Sequence, residues 1–156
     1  MYQHILVAVD GSVPSKAALK AAIQLAVDNH AKLTALYVVD NTPVLYDAGY
    51  YDPSILRNSL IEEGDRVVAD AARDMQAAGL KPETRVVEVE LLGDDISHQI
   101  EQAALAAQAD IVVLGTHGRR GFRRLMLGSV AERFVRVSTL PVLLIPSHQP
   151  EPVPAN

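Results

Sequence analysis

Four short apolar runs that barely alternate with polar residues are the strongest constraint on how this chain can fold. They are residues 5–9 (ILVAV), 33–39 (LTALYVV), 111–114 (IVVL) and 142–145 (VLLI). A strand with one wet face alternates in polarity; a strand without alternation is covered on both faces. Helical stripes lie between the runs: Leu19, Ile23, Ala26 and Val27; Leu60, Val67, Val68, Ala71, Met75 and Ala78; Ile96, Ile100, Ala103, Ala104 and Ala107; Val130, Phe134 and Val137. A fifth strand is expected where Val87, Val89 and Leu91 alternate with Glu88 and Glu90. The order is strand and helix by turns, five strands in all. Such alternation predicts a Rossmann-like α/β fold, a parallel sheet with helices on both faces.

The punctuation agrees with this order. Ser12 is placed to cap the first helix, with Pro14 in its first turn. The residues around 41–53 are rich in Tyr, Asp, Gly and Pro and read as a loop. Gly79 and Pro82 end the second helix, and Gly93-Asp94-Asp95 offers a cap for the third. Residues 1–146 are expected to form one domain. The tail, 147–156, carries Pro150, Pro152 and Pro154 and is expected to be extended.

Composition removes several classes of function. Without cysteine there are no disulfides, thiolate metal sites or thiol nucleophiles. No run approaches the length of a membrane span, and the apolar start has no basic flank, so the expected location is cytoplasmic. A net charge of −5 argues against a nucleic-acid partner. That balance hides one basic loop. Residues 115–136 hold six of the ten arginines (119, 120, 123, 124, 133 and 136) against one acid, Glu132.

The chemistry concentrates in the same segment. It reads G-x2-G-x9-G-S at Gly115, Gly118, Gly128 and Ser129, after the fourth strand. Glycines let a backbone approach a ligand closely, and consecutive free N–H groups form an anion-binding nest. The loop delivers Gly128-Ser129 to a helix start, which also favours anions. A polyphosphate is the expected ligand. Ser129 with Glu132 three residues on also reads as a plain capping box. There is no Walker motif, no G-x-S-x-G and no H-E-x-x-H. No general base stands beside a water-positioning partner, so at most slow ATP hydrolysis is expected and no catalytic residue is assigned.

On this motif, with Asp10-Gly11-Ser12 after the first strand and Pro141-Val142-Leu143-Leu144-Ile145 at the end, the chain resembles the universal stress protein family over residues 2–146. The resemblance implies sheet order 3-2-1-4-5, ATP between the first and fourth strands, and dimers built on the last strand. By matching position, Asp10 would face the nucleotide, and Val38 would meet the adenine through its backbone. Gly115, His117 and Gly118 would line ribose and phosphates; Gly128, Ser129 and Val130 would hold phosphates at the helix start. Apart from the resemblance, Arg119, which with Arg120 precedes Gly121, is placed to reach phosphate. The expected cofactor is ATP with Mg2+ or Mn2+, and the expected role is nucleotide-dependent regulation in the stress response. The last strand is apolar and uncharged, so a homodimer through Val142–Ile145 is expected. Two other readings stay open. One is an enzyme that slowly hydrolyses ATP or transfers its nucleotidyl group. The other is a module that binds AMP, a cyclic nucleotide or a protein partner.

Overall fold

A computed structural model describes residues 1–41, 52–90, 93–117 and 127–146. Five strands form one sheet: β1 (His4–Ala8), β2 (Lys32–Val39), β3 (Glu83–Glu88), β4 (Ile111–Gly115) and β5 (Val142–Ile145). The helices between them are α1 (Val13–Asn29), α2 (Pro53–Ala77), α3 (Ile96–Ala106) and α4 (Ser129–Val137). The spatial order is β3-β2-β1-β4-β5, with every neighbouring pair parallel. Ile5 stands between Leu33 on one side and Ile111 on the other, which fixes the central register.

The lack of alternation in the strands now has its cause. Ile5, Val7 and Val9 face one layer, with Leu33, Ala35, Tyr37, Ile111 and Val113; α1 and α2 cover it with Ala18, Leu19, Ala22, Val68, Ala71 and Met75. Leu6, Leu36, Val112 and Leu114 face the other, where α3 and α4 contribute Ile100, Ala103, Ala104 and Phe134. Both faces of the central strands are therefore dry, and their side chains are apolar in whichever layer they point.

Three expectations are corrected. β3 spans Glu83–Glu88 and so begins before the alternation expected from Val87, because Val86 packs into the first layer and Val87 into the second; Leu91 lies outside the described residues. Its backbone pairing continues through the Val89 N–H, which bonds the Val39 carbonyl at 2.9 Å. Next, α2 begins at Pro53, with Asp52 as its N-cap, about two turns before Leu60, its first residue packed against the core. Those turns are solvated, so they carry no apolar stripe for the sequence to display. Finally, Val137 does not belong to the core of α4; it is exposed, and only Ala131 and Phe134 of that helix are buried. The expected loop over 42–51 and the tail 147–156 lie outside the described residues.

Candidate functional site

From β1 the chain moves outward to β2 and β3, then returns past β1 to β4 and β5. The direction of winding reverses between β1 and β4. Ligands of open α/β sheets bind at that reversal, beyond the carboxyl ends of the strands. Residues 10–12 leave β1 there, and residues 115–117 leave β4.

The β1 exit is built by short local bonds. The Asp10 N–H donates to the Ser15 hydroxyl at 2.9 Å, and the Asp10 carboxylate accepts the Ser12 N–H at 2.9 Å. Gly11 takes the left-handed conformation, φ 81°, that this tight turn demands. Ser12 then caps α1 by accepting the Ser15 N–H at 3.3 Å. Asp10 thus shapes the turn with one carboxylate oxygen while standing at the mouth of the crevice.

The β4 exit lies against this turn. A Cβ on Gly115 would come within 2.9 Å of the Pro14 carbonyl oxygen and 3.0 Å of its carbon. Gly115 is therefore required by the close approach of α1 to β4, and its open side faces protein backbone. Thr116 donates its N–H to Ile145 at 3.0 Å and accepts the Gly128 N–H at 2.6 Å. The second bond ties the end of the glycine loop back to its beginning, so His117 and the start of α4 sit together.

His117 carries an unusual atom. Its Nδ1 lies 3.0 Å from the Thr116 hydroxyl, while its Nε2 is buried without a hydrogen-bond partner among the described residues. Buried polar atoms are nearly always paired, so an orphan at a crevice mouth fits a ligand's oxygen. The first turn of α4 is similarly unfinished. Gly128 is its N-cap, and among the described residues no side chain caps it. The capping-box reading of Ser129 is thereby corrected: Ser129 is the first helical residue, one position too late to cap. Its N–H and those of Val130 and Ala131 are the orphan donors of a helix start.

Val38 supplies a third open element. The Leu36 carbonyl accepts from Val9 at 2.8 Å, and the Val39 carbonyl accepts from Val89 on the opposite side. Peptide groups alternate sides along a strand, so Val38 turns its own toward β1. The last β1–β2 pair is Ala8↔Leu36. The Val38 peptide groups therefore lie just past the end of β1, where no strand continues. Gly118 and Arg119 lie outside the described residues.

Part of the basic excess is neutralised locally. Arg133 pairs with Asp95 at 2.6 Å and Arg136 with Glu132 at 2.8 Å. Among the described residues, no cluster of three acids or histidines could hold a metal ion by itself, and no helix is long and apolar enough to cross a membrane.

A neighbouring carboxylate organises the β3–α3 connection. Asp94, 6% exposed, accepts from the Glu90 N–H (2.6 Å), the Asp95 N–H (2.9 Å) and the Gln99 amide (2.7 Å), and it pairs with His98 Nδ1 at 2.7 Å. Burial opposes its charge, but these bonds outweigh burial and draw its pKa down to about 2. A depressed carboxylate stabilises the fold fully above its unfolded value of 3.8 and loses that contribution as pH falls toward about 2. Asp94→Asn is expected to cost about 2 kcal/mol at pH 7. It should also flatten the acid limb of a urea-denaturation series run from pH 6 to pH 2. An unchanged acid limb would show that Asp94 is not the group titrating there.

A five-stranded parallel sheet of order β3-β2-β1-β4-β5, with helices on both faces, defines a Rossmann-like α/β protein. The chain belongs to the universal stress protein family, whose sequence pattern matches residues 1–146. It is similar to the universal stress protein MJ0531 of Methanocaldococcus jannaschii, at 32% identity over 93% of this chain and 82% of that one. The crystal structure of a universal stress protein family member from Burkholderia pseudomallei is 43% identical. It superposes with a TM-score of 0.78 over 94% of this chain and 97% of that one. A universal stress protein solved with cAMP shares the fold at 24% identity and TM-score 0.67, over 92% and 97% of the two chains. One from Arabidopsis thaliana with AMP bound shares it at 20% identity and TM-score 0.66, over 94% and 92%.

The structure brings Asp10, Gly115, His117, Gly128, Ser129 and Val130 to one end of the sheet, and Val38 to the same rim. Sequence reasoning missed Pro14, whose backbone is the reason for Gly115. It also missed Thr116 as the tie to Gly128, and Ser97, which donates to the Val130 carbonyl at 3.2 Å. Thr116 could have been found inside the glycine motif. Ser97 has no sequence signal, since a serine in a first helical turn is ordinary.

Proposed function

We propose that the protein is an ATP-binding regulator of the stress response, in which nucleotide occupancy sets a surface that a protein partner reads. The observation that carries this reading is the buried His117 Nε2, without a hydrogen-bond partner among the described residues, beside the start of α4, whose N-cap is the glycine Gly128. An anion satisfies both at once: its oxygens accept from the free N–H groups and from the imidazole. The Val38 peptide groups, left open past the end of β1, suit the edge of an adenine. A divalent ion such as Mg2+ or Mn2+ travelling on the phosphates needs one or two protein carboxylates, and Asp10 is the acid at that mouth. The two nucleotide-bound relatives support the nucleotide class. The spacing of Gly115, Gly118, Gly128 and Ser129 in the sequence, with four arginines between the second and third glycines, supports ATP over AMP or cAMP.

Isothermal titration with Mg-ATP tests this. Micromolar binding is expected, and Gly118→Val should abolish it without changing the circular dichroism spectrum. Absence of heat up to about 1 mM ligand, a binding free energy weaker than about 4 kcal/mol, would reject the nucleotide reading. The second half of the proposal is a homodimer through β5, supported by that strand's place at a sheet edge and its half-buried apolar residues. Light scattering should give the mass of two chains, and Leu144→Lys should return it to one.

A further inference from the structure

The grip on α4 is uneven. Of its nine residues, only Ala131 and Phe134 are buried, and they lie one turn apart in the middle of the helix. Apolar packing holds α4 at these two residues, with the partly buried Val130 beside them, and polar contacts add direction at both ends. Apart from the Gly128 N–H bond to the Thr116 carbonyl, these come from α3 and its N-cap, Asp95. At the far end, the Glu101 carboxylate accepts the Thr139 N–H (2.9 Å), the Thr139 hydroxyl (2.6 Å) and the Ser138 hydroxyl (2.9 Å). At the near end, Asp95 receives Arg133 at 2.6 Å, and the Ser97 hydroxyl donates to the Val130 carbonyl at 3.2 Å.

Ser97 is the informative member. It is 2% exposed. The Val130 carbonyl belongs to the helix's own ladder, so it needs no second donor. An alanine at 97 would bury the same methylene without any hydroxyl to satisfy. What the hydroxyl adds is direction: it fixes the first turn of α4 against α3 at the turn that carries the free N–H groups of residues 129–131.

We propose that Ser97 is a positioning residue, whose bond to the Val130 carbonyl, with the Asp95–Arg133 pair, aims the first turn of α4 at the phosphates of the bound nucleotide. The inference rests on the nucleotide reading above and adds how the phosphate end of that site is held. Its consequence is selective. The adenosine half of the ligand meets the β1 and β2 ends, which Ser97 does not touch, so the effect should appear only when phosphates are present.

Titration of Ser97→Ala with ATP and with adenosine tests this. ATP affinity is expected to fall about fivefold, the worth of one hydrogen bond, while adenosine affinity stays at the wild-type value. Ser97→Thr, which keeps the hydroxyl, should restore ATP binding. In ligand-free protein, the Glu132 amide, bonded to the Gly128 carbonyl at 2.9 Å, should exchange faster in Ser97→Ala than in wild type. Equal losses for ATP and adenosine, or none for ATP, would overturn the positioning role. Wild-type protein that binds neither ligand overturns the nucleotide reading instead, and unchanged exchange at Glu132 then removes the ordering of the turn as well.

Discussion

Gly115→Ala is expected to destabilise the protein by about 1–3 kcal/mol, the usual cost of overpacking, and to weaken nucleotide binding by about tenfold or more, 1.4 kcal/mol. The added methyl would meet the Pro14 carbonyl carbon and oxygen, at 3.0 and 2.9 Å, and the Pro14 Cβ at 3.1 Å. Two of those atoms are backbone, so no side-chain rotation relieves the contact. Either α1 moves off β4 or β4 bends, and both change the spacing of the two walls of the crevice. The stability loss is the decisive part. If Gly115 served only to make room for ribose or phosphate, alanine would leave the ligand-free protein untouched. Thermal unfolding without nucleotide separates the two cases, and an unchanged midpoint would remove the structural role argued here.

Phe134→Ala is expected to cost about 3–5 kcal/mol, a large share of the roughly 5–15 kcal/mol that holds a domain together. Phe134 is 0% exposed and is one of the two buried residues of α4. It packs with Leu6, Leu36, Ile100, Val112 and Leu114, which come from three strands and α3. A cavity there unseats the helix as well as thinning the core, so nucleotide binding should fall with stability. Phe134→Leu, which keeps most of the volume, should cost about 1.5 kcal/mol or less. Urea denaturation checks both. Equal midpoints for Phe134→Ala and wild type would mean that α4 is not anchored by this side chain.

The central strands were legible because burial on two faces leaves a mark that no other arrangement makes. Residues 5–9 and 111–114 are apolar at every position since Ile5 and Leu6, or Val112 and Val113, look into opposite layers. The Ser12 cap was legible because its bond is local, three residues on. β3 was harder. It lies at an edge, where Thr84 and Arg85 are exposed, and its charged residues masked the place where Val86 and Val87 split between layers. The first turns of α2 touch no core, so their sequence had only helix propensity to reveal, and Pro53 obscured that. Within the site, the glycine motif announced the backbone that approaches a ligand. What it could not announce is long-range. Gly115 is glycine because of Pro14, about a hundred positions away, and Ser129 is not a cap because Gly128 is held to Thr116. Such facts depend on how two distant loops meet, and sequence patterns within one loop carry no record of it.

The two margins of the sheet are chemically unlike. β3 carries Glu83, Arg85 and Glu88, the last clasped by Arg57 in a two-point ion pair at 2.7 and 2.8 Å, while β5 is Val-Leu-Leu-Ile throughout. A chain with one sticky margin and one blunt margin can add a neighbour in only one direction. If two copies met along β5 about a two-fold axis, the joined sheet would have ten strands and a β3 at each end. Growth would then stop, since neither outer margin offers an apolar strand to a third copy. In such a pair the asymmetry would act as a terminator, leaving only the charged β3 margins outward.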